Sequence, residues 1–565
     1  MRNKFGIVAV AVIIVAAIVG GLSRRSIGKP SSANAGVKTT AEHIESDYQA
    51  ALTIIDSNYA GEVDYEKTTQ AAIQGMLWTL DPHSNYFTRS EFQKLKEDQD
   101  SRFFGIGVSI LQHRDGVYIQ SLVENTPAAR GGLRYGDRIL EVDGKDAKDW
   151  TSAEVSKNVR GEEGVPVRIK IERVGSTTPL EFTIKRAGVS QPSIRNAFMV
   201  RPGVGYVGLT GGFQHKTDEE LSEAIDKLKA QGMRQLVLDL RGNPGGLLEQ
   251  AIKVSSRFIP PGQVITSVRG RTDYETENVY RSIGNETEKF PLVVLINHNS
   301  ASASEIVAGA IQDHGRGLVV GQTSFGKGLV QKVFHLPFGS GLTLTTAKYY
   351  TPYGRSLQRD YSNGSLYDYY ARHDQDEETA EKSNEQQQKS QTATPTPTPV
   401  PAPTGPAVTT AAGRVFYGGG GITPDIIVKP LAATTLRGRI AEAAFYFTRE
   451  LASGQVSGLE DYKIEETRFG YNPRPNDYPI TDRVIEAFRA FLQRDPQQGL
   501  NPAQIEPELD FVKLRLRDEI ITAAYAGDAG NRVLLDSDPQ VLRALEALPE
   551  ARRLVESIRN SPSLG

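Results

Sequence analysis

The chain has 565 residues, of which 39% are hydrophobic and 24% charged, and its formal net charge is −3. This length exceeds what one hydrophobic core supports, so it predicts several domains, and the balanced charge excludes a strongly basic surface for nucleic acid. The absence of cysteine excludes disulfides, thiolate metal ligands and a cysteine nucleophile. The eight histidines are scattered without metal-ligand spacing, so the sequence predicts no metal and no cofactor.

The N-terminus carries an uncharged apolar run, Gly6–Leu22, after two basic residues. Its length lies at the short limit for a membrane span and is slightly long for the apolar part of a signal peptide. We therefore predict that residues 1–35 are a signal or a membrane anchor, with Ala33–Ala35 as a candidate cleavage site. Both alternatives carry the body of the protein across a membrane and predict a periplasmic or extracytoplasmic location, either anchored through residues 6–22 or released after cleavage.

The remaining chain changes its pattern several times. Short strand-like runs alternate with glycine turns after Phe103, whereas apolar strands such as Gln235–Leu240 and Leu292–Asn297 alternate with helices such as Ala303–Asp313. In chain order the predicted segments are a helical region at 36–102, a mainly β domain at 103–187, a layered α/β core at 188–360, an insertion at 361–413, a further core strand at 414–431 and a helical region at 432–565.

The predicted insertion at 361–413 has an unusual composition. An acidic, glutamine-rich run is followed by Thr-Pro repeats. Such a composition cannot bury enough apolar area to offset its ordering entropy, so we predict a disordered or polyproline segment. A proline-recognition motif is the alternative. Because a loop grows at little cost when its ends stay paired, the core should form around the insertion.

The densest polar motif lies around Ser302, between a predicted buried strand and a predicted helix. Ser302 and Glu305 have the spacing of a capping box, which satisfies amides of the first helical turn and needs no chemistry. The same position also suits a nucleophile, because the hydroxyl lies at the positive end of the helix dipole. The amide of Ala303 would then help to hold an oxyanion.

A serine nucleophile needs a base, and the sequence offers two kinds. His298 and His314 lie nearby, and Asp313 would complete a Ser-His-Asp triad. Lys327 is the other candidate, and it would need a pKa lowered by about three units through burial to act near pH 7. Strand periodicity places Gln331 on the same face as Lys327, where it would orient a neutral amine.

Several motifs occur in the same order as in one peptidase family. They are Leu80–Ser84, Leu238–Gly246, Ser302–Glu305, Phe325–Gly328 with Gln331, Tyr350–Arg355 and Gly421–Asp425. Together they resemble the carboxyl-terminal processing (tail-specific) serine peptidases. The resemblance implies Ser302 as nucleophile, Lys327 as general base and Gln331 as the residue that orients the lysine. The family's spacing of 25 residues between nucleophile and base selects Ser302 over Ser300 and Ser304.

The glycine-rich turn within Leu238–Gly246 has a physical use of its own. Its glycines permit backbone conformations that leave amides pointing at an anion. We predict that Gly242, or a neighbour, supplies the second oxyanion donor. A phosphate-binding loop is the rival interpretation, which the missing Lys-Ser/Thr pair and the presence of Asp239 disfavour.

The mainly β domain at 103–187 resembles a PDZ domain in its Phe103–Val108 and Gly136–Leu140 motifs. The resemblance implies that a substrate's C-terminal tail adds as a strand to the domain. Amides of the loop formed by Gly105, Ile106 and Gly107 would capture the terminal carboxylate, and the side chains of Ile106 and Val108 would line a pocket for the last apolar side chain. Arg173 is a candidate contact to the catalytic domain.

The sequence thus predicts an α+β and α/β multidomain protein: a layered α/β protease core with an inserted PDZ domain and helical N- and C-terminal regions. The predicted function is a serine endopeptidase with a Ser-Lys dyad that binds protein or peptide substrates by their C-termini. The alternatives are a membrane-tethered PDZ adaptor without catalysis and a Ser-His-Asp hydrolase. The predicted partners are peptides and, through the N-terminal segment, a membrane, but no nucleic acid, with a homodimer through the helical termini.

Overall fold

The computed structural model describes residues 40–99, 102–271, 277–361, 369, 405–411 and 413–560. The predicted signal or anchor at 1–35 and most of the predicted insertion at 361–413 lie outside the described residues. Within the described part of the chain, no helix is both long and apolar enough to cross a membrane. The chain divides into two compact units at Ala72.

The first unit contains the helix Ala41–Asn58 and the start of the helix Tyr65–Trp78. The Thr40 hydroxyl caps the first helix by accepting the amide of His43 at 3.4 Å. The helix buries no residue, and its apolar side chains, including Ile44, remain exposed. The predicted helical character of this region therefore agrees with the structure.

The second unit begins with a mainly β domain. The strands of its main sheet are, in spatial order, Val108–His113, Gly116–Leu122, Arg138–Val142, Pro166–Glu172 and Leu180–Lys185, all antiparallel, with Lys145–Asp146 paired beside the third and with the helices Pro127–Gly131 and Ser152–Val159. Along Pro166–Glu172 every second side chain is buried, as expected for a strand with one face on a core. A ribbon of Arg102–Gly105 with Ala187–Ser190 joins the start of this domain to its end.

The α/β core is built on a second sheet. Its strands are, in spatial order, Ile194–Arg201, Val204–Leu209, Gln235–Asp239, Leu292–Ile296, Leu318–Gly321 and Ile426–Ile427, antiparallel at the first pair and parallel thereafter. On one face, Leu292 and Val294 pack in a cluster with the helices Thr217–Ala230, Leu248–Ser256 and Ala303–Asp313. On the other face, Val293 packs with the helix Pro539–Asn560. Burial on both faces explains why these strands read as continuous apolar runs.

A further antiparallel sheet lies beside this core. It contains Asn85–Phe87, Val264–Gly270, Asn278–Arg281, Leu329–His335 and Gly341–Tyr350, and the helix Arg89–Gln99 follows its first strand. The two ends of the predicted insertion are paired, because the amides of Gly419 and Gly421 donate to the carbonyls of Ser356 (2.6 Å) and Leu357 (3.0 Å). The ribbon Ala407–Thr409 with Val415–Tyr417 precedes this contact. The segments before and after residues 361–413 are thus hydrogen-bonded to each other.

The C-terminal region is helical, as predicted. Its helices are Thr435–Ser453, Asp482–Arg494, Pro502–Ile505, Leu509–Tyr525, Gly527–Leu535 and Pro539–Asn560. Buried side chains of the earlier helices cluster with Tyr118 of the mainly β domain, and Glu442 lies 2.8 Å from His113 of that domain. The last helix packs on the core sheet. Because these apolar faces are covered by the chain itself, the predicted dimer contact through the C-terminal helices has no support in the structure and stays a prediction.

Candidate functional site

Ser302 occupies a strained turn between the buried strand Leu292–Ile296 and the helix Ala303–Asp313. Its backbone has φ 55° and ψ −113°, which residues other than glycine rarely adopt. Strain of this kind persists only where the surrounding structure enforces it, and it concentrates at functional sites. The side chain of Ser302 is half-buried. The next residue, Ala303, is the first residue of the helix, so its amide belongs to the first turn. Ser302 and Ala303 are therefore placed as the sequence predicts for a nucleophile beside an amide donor.

The glycine-rich turn Gly242–Gly246 approaches Ser302 through one particular glycine. A Cβ atom added to Gly245 would lie 2.7 Å from the Ser302 Cβ and 2.9 Å from the Ala303 nitrogen. Gly242 is placed differently, because its amide donates to Asn297 Oδ1 at 2.9 Å and an added Cβ would meet nothing within 4 Å. An amide committed to a side-chain oxygen must give up that bond before it can hold an oxyanion. The oxyanion role of Gly242 stays a prediction.

Lys327 and Gln331 lie together at the start of the strand Leu329–His335. The Lys327 Nζ donates to Gln331 Oε1 at 2.9 Å, and Gln331 Nε2 donates to the carbonyl of His83, which fixes the direction of the amide. Burial lowers the pKa of Lys327 below its usual value of 10.5, although the carboxylates of Glu305 and Asp81 oppose this shift. The predicted contact between Lys327 and Gln331 is thus present in the structure.

A buried carboxylate joins the turns of Ser302 and Lys327. Glu305 is fully buried, and it accepts hydrogen bonds from the amides of Ser302 (2.8 Å), Gly326 (2.8 Å) and Lys327 (2.9 Å). Tyr349 adds a second link, since its hydroxyl contacts the carbonyl oxygens of Ser302, at 3.2 Å, and of Lys327. From the sequence, Glu305 was predicted only to cap the helix, and no role was predicted for Tyr349.

The loop Asp81–Ser84 forms the wall next to Gln331. The Asp81 carboxylate accepts the amides of His83 (2.8 Å) and Ser84 (2.9 Å), and His83 Nε2 lies 2.8 Å from the Tyr369 hydroxyl. Burial and, to a lesser extent, the nearby charge of Lys327 lower the pKa of His83 from 6.5 to about 3. The imidazole of His83 is therefore neutral at pH 7. The sequence had marked this loop only as a family motif.

The structure separates Asp313 and His314 from Ser302. Both lie at the far end of the helix that Ser302 begins, and 11 residues at 1.5 Å per residue place them about 16 Å away. Asp313 is paired with Arg355, and His314 Nε2 lies 2.6 Å from the carbonyl of Val264. These two residues therefore do not form a triad with Ser302. His298 lies in the turn just before Ser302 and stays an alternative base.

The residues predicted to bind peptide line one apolar cavity. Gly105, Ile106, Gly107 and Val108 surround it, together with side chains of the helix Ser152–Val159. The strand that starts at Val108 is an edge strand of its sheet within the described residues. It is therefore placed to accept an added strand.

Arg173 does not make the expected contact to the catalytic domain. Its guanidinium donates to both carboxylate oxygens of Asp137 at 2.7 Å and to the carbonyl of Gly132 at 2.8 Å. Asp137 is buried, so the arginine neutralises a buried carboxylate inside the mainly β domain. That expectation was wrong.

Comparisons with known proteins identify the family of this chain. The profile of peptidase family S41 matches residues 203–371, and the PDZ domain profile matches residues 93–172. A carboxy-terminal-processing protease of Bartonella bacilliformis is 38% identical over 308 residues, which cover 54% of this chain and 70% of the relative. A probable CtpA-like serine protease of Staphylococcus aureus strain COL is 32% identical over 358 residues, covering 63% of this chain and 70% of the relative.

Two solved structures with related sequences also come from C-terminal proteases. The photosystem II D1 C-terminal processing protease is 30% identical and covers 55% of this chain and 83% of its own, with a TM-score of 0.32. The PDZ domain of a carboxy-terminal protease from Vibrio cholerae, solved in complex with a peptide, is 29% identical and covers 16% and 97%, with a TM-score of 0.15. From the sequence relatives and profiles, this chain belongs to peptidase family S41, the carboxy-terminal-processing serine proteases, and carries a PDZ domain.

Proposed function

We propose that the protein is a serine endopeptidase that docks substrates by their C-terminal tails and cleaves peptide bonds with a dyad of Ser302 and Lys327. One observation carries this proposal: the buried amine of Lys327 is held by Gln331 and belongs to the same hydrogen-bonded assembly as the strained turn of Ser302. A desolvated lysine is the kind of lysine that can be neutral near pH 7 and accept a proton.

The chemistry proposed for the dyad is acyl transfer. The Ser302 Oγ attacks the carbonyl carbon of the substrate while its proton moves to the neutral Nζ of Lys327. The protonated lysine then gives this proton to the leaving amine, which produces an acyl-enzyme and a free C-terminal fragment. Water attacks the ester in the second half, and Lys327 again takes and returns the proton. In this scheme Gln331 Oε1 accepts an N–H of Lys327 and so aims the amine's lone pair.

An oxyanion forms on the substrate during both halves of the reaction. We propose the amide of Ala303 as one donor, because it lies at the positive end of the helix Ala303–Asp313. The second donor is proposed from the glycine-rich turn, where Gly242 was predicted. The close approach of Gly245 to Ser302 supports this turn as the opposite wall of the oxyanion site.

Tail docking is proposed for the PDZ domain. An extended peptide would pair with the edge strand Val108–His113, its carboxylate facing the loop of Gly105, Ile106 and Gly107. The cavity beside that loop is lined mainly by aliphatic side chains, which supports an apolar last residue on the substrate. Peptides with a free and an amidated C-terminus test this docking, and equal affinity for the two would contradict it.

The location and the further partners are also proposals. The apolar run Gly6–Leu22 supports export with either a membrane anchor or a cleaved signal, and hence a periplasmic or extracytoplasmic site of action. A homodimer through the helical termini is proposed from the exposed apolar side chains of the helix Ala41–Asn58.

The deciding experiment measures cleavage of a substrate with an apolar C-terminal tail by the wild type and three variants. The dyad predicts that Lys327→Ala loses activity, while His298→Ala and the exposed control Lys332→Ala keep it. Full activity in Lys327→Ala would end the dyad proposal, and loss confined to His298→Ala would favour a Ser-His mechanism. An inactive wild type that still binds tails would leave the second candidate, a PDZ adaptor.

A further inference from the structure

We propose that Glu305 is a positioning residue of the dyad, whose ionised carboxylate holds the Ser302 turn and the Lys327 turn in register. This inference rests on the proposed dyad, because it assigns a role to a residue that acts through Ser302 and Lys327. Glu305 itself is buried in the first turn of the helix Ala303–Asp313. If Glu305 only capped this helix, its hydrogen bonds would stay within the helix.

The hydrogen bonds of Glu305 extend well beyond its own helix. Oε2 accepts the amide of Ser302 and, across 22 residues of sequence, the amide of Lys327. Oε1 accepts the amide of Gly326 and the hydroxyl of Ser324 at 2.5 Å. One carboxylate oxygen is thus shared between the backbone of the nucleophile and the backbone of the base. Any shift of one turn relative to the other must lengthen a bond to this oxygen.

The chemistry of these partners requires the ionised form of Glu305. Each of the four groups donates, and a carboxylate accepts at both oxygens, whereas a protonated carboxyl would place its own O–H against a donor. The Ser324 oxygen also accepts the amide of Ile422 at 2.6 Å, which fixes the hydroxyl beside Glu305. Burial raises the pKa of Glu305 from 4.5 to about 7, and its hydrogen bonds from Ser324 and the backbone oppose this rise. The bonds that position the two turns thus favour the carboxylate, which is the predominant form of Glu305 above about pH 7.

The charge of Glu305 also acts on the base. Its negative charge raises the pKa of Lys327 and so opposes the lowering caused by burial. The other titratable or charged groups around this assembly are Asp81, His83, Tyr349, Arg359 and Tyr369. Among them Asp81 acts on Lys327 in the same direction as Glu305, but its hydrogen bonds hold the loop of His83 and Ser84. Glu305 therefore combines two effects, one geometric and one electrostatic, that can be separated by experiment.

The test is the pH profile of kcat/KM for Glu305→Gln with a peptide substrate. Glutamine keeps the shape but presents an NH₂ group to two of the donors, so the two turns should separate and the plateau rate should fall about 100-fold, mainly in kcat. Removing the negative charge should also lower the pKa of Lys327. Because the active base is the neutral lysine, the acidic limb of the profile should move to lower pH, by about one unit.

Tyr349→Phe is the matched control. It removes the hydroxyl that contacts the carbonyls of Ser302 and Lys327, so it weakens the same junction while the negative charge of Glu305 stays in place. Burial and the neighbouring Glu305 carboxylate raise the pKa of this hydroxyl, so its loss takes one neighbour from Glu305 but no negative charge from the surroundings of Lys327. The plateau rate should fall, and the acidic limb should not move to lower pH. A merely structural Glu305 would behave in the same way as this control, with reduced activity and an unmoved limb, and that result would overturn the inference.

A folding defect in Glu305→Gln is detected by its melting temperature and by tail-peptide binding at the distant PDZ cavity. In that event Ser324→Ala replaces it. This variant removes one of the donors that stabilise the carboxylate, so Glu305 protonates at a higher pH. Below that pH the two turns lose their shared acceptor, and the acidic limb should therefore move to higher pH. An unmoved limb in Ser324→Ala would then overturn the inference. Lys327→Ala is measured in parallel: if it stays active, the dyad itself fails, whereas an inactive Lys327→Ala with unmoved limbs refutes only the role of Glu305.

Discussion

Replacing Gly245 by alanine should disable the site without touching a charged or nucleophilic group. The added Cβ would lie 2.7 Å from both the Ser302 Cβ and the Ala301 carbonyl oxygen, whereas ordinary contacts begin at 3.4 Å. The turn and Ser302 must therefore move apart by at least about 0.7 Å. Asn243 holds the two segments together, because its carbonyl accepts the amide of Ala301 and its Oδ1 accepts the amide of Gly245.

The expected loss follows from that displacement. A misplacement of about 1 Å in a reacting group costs on the order of 100-fold in rate, which equals about 2.7 kcal/mol of transition-state stabilisation. The backbone at Gly245 has φ +99°, so alanine also adds about 1–3 kcal/mol of conformational strain to the folded state. We expect kcat to fall about 100-fold while the affinity for a tail peptide at the PDZ domain stays the same.

Gly232→Ala is the control for this prediction. It lies in the turn after the helix Thr217–Ala230, at φ +89°, and places its Cβ in open space. It should lower stability by about 1–2 kcal/mol and leave kcat within a few-fold of the wild type. The assay compares kcat of both variants at saturating peptide with their melting temperatures. Wild-type kcat in Gly245→Ala, or an equal loss of kcat in both variants, would refute the proposed contact between Gly245 and Ser302.

Three further outcomes test other parts of the structure. Because burial lowers the pKa of Lys327 below 10.5, kcat/KM should rise with pH through a value below 10.5, and a limb at 10.5 would contradict a desolvated base. Asp313→Asn leaves the buried Arg355 without its carboxylate, so denaturant unfolding should show a loss of about 3–5 kcal/mol, and a loss under 1 kcal/mol would count against the buried pair. Ala544→Asp puts a carboxylate into the buried face of the last helix and should lower the free energy of unfolding by about 4–7 kcal/mol. Leu542→Asp, at an exposed position of the same helix, should lower it by under about 1 kcal/mol. Equal melting temperatures of the two variants would refute the packing of that helix.

The regular elements of the core could be predicted from the sequence because their burial is expressed in local patterns. Leu292–Ile296 is an apolar run between turn residues, and the helix after it was predicted with the bounds that the structure gives, Ala303–Asp313. A strand buried on both faces leaves such a run, and small residues with a glutamate in the first turn favour the helix. The contact between Lys327 and Gln331 is present as predicted, but regular strand periodicity does not account for it, because Lys327 precedes the strand and the strand register shifts between Val330 and Gln331.

The parts that could not be predicted depend on contacts between distant segments. Tyr349 contacts the Ser302 carbonyl from a strand 47 residues later, and Gln331 donates to the carbonyl of His83, 248 residues earlier. Backbone carbonyls carry no sequence signal, so nothing in the motif marks these partners. The Glu305 spacing did signal a cap, but the same carboxylate also binds Lys327 across a junction that only the tertiary structure creates. The oxyanion role of Gly242, predicted from the glycine-rich turn, and the peptide-binding role of the loop Gly105–Val108, implied by the resemblance, remain predictions.

The C-terminal helices are bonded both to the PDZ domain and to the glycine-rich turn. At one end, Arg449 Nε donates to the Gly136 carbonyl of the PDZ domain at 2.8 Å. At the other, Arg241, in the strand-to-turn motif beside Gly245, donates to Asp538 (2.6 Å) while it also binds Asp239. Asp538 precedes the last helix and accepts the amide of Gln540, so the motif is tied to a helix that packs on the core sheet. Buried pairs of this kind are costly to break one partner at a time. The helices therefore resist displacement at both ends, and the PDZ domain and the glycine-rich turn share a common support.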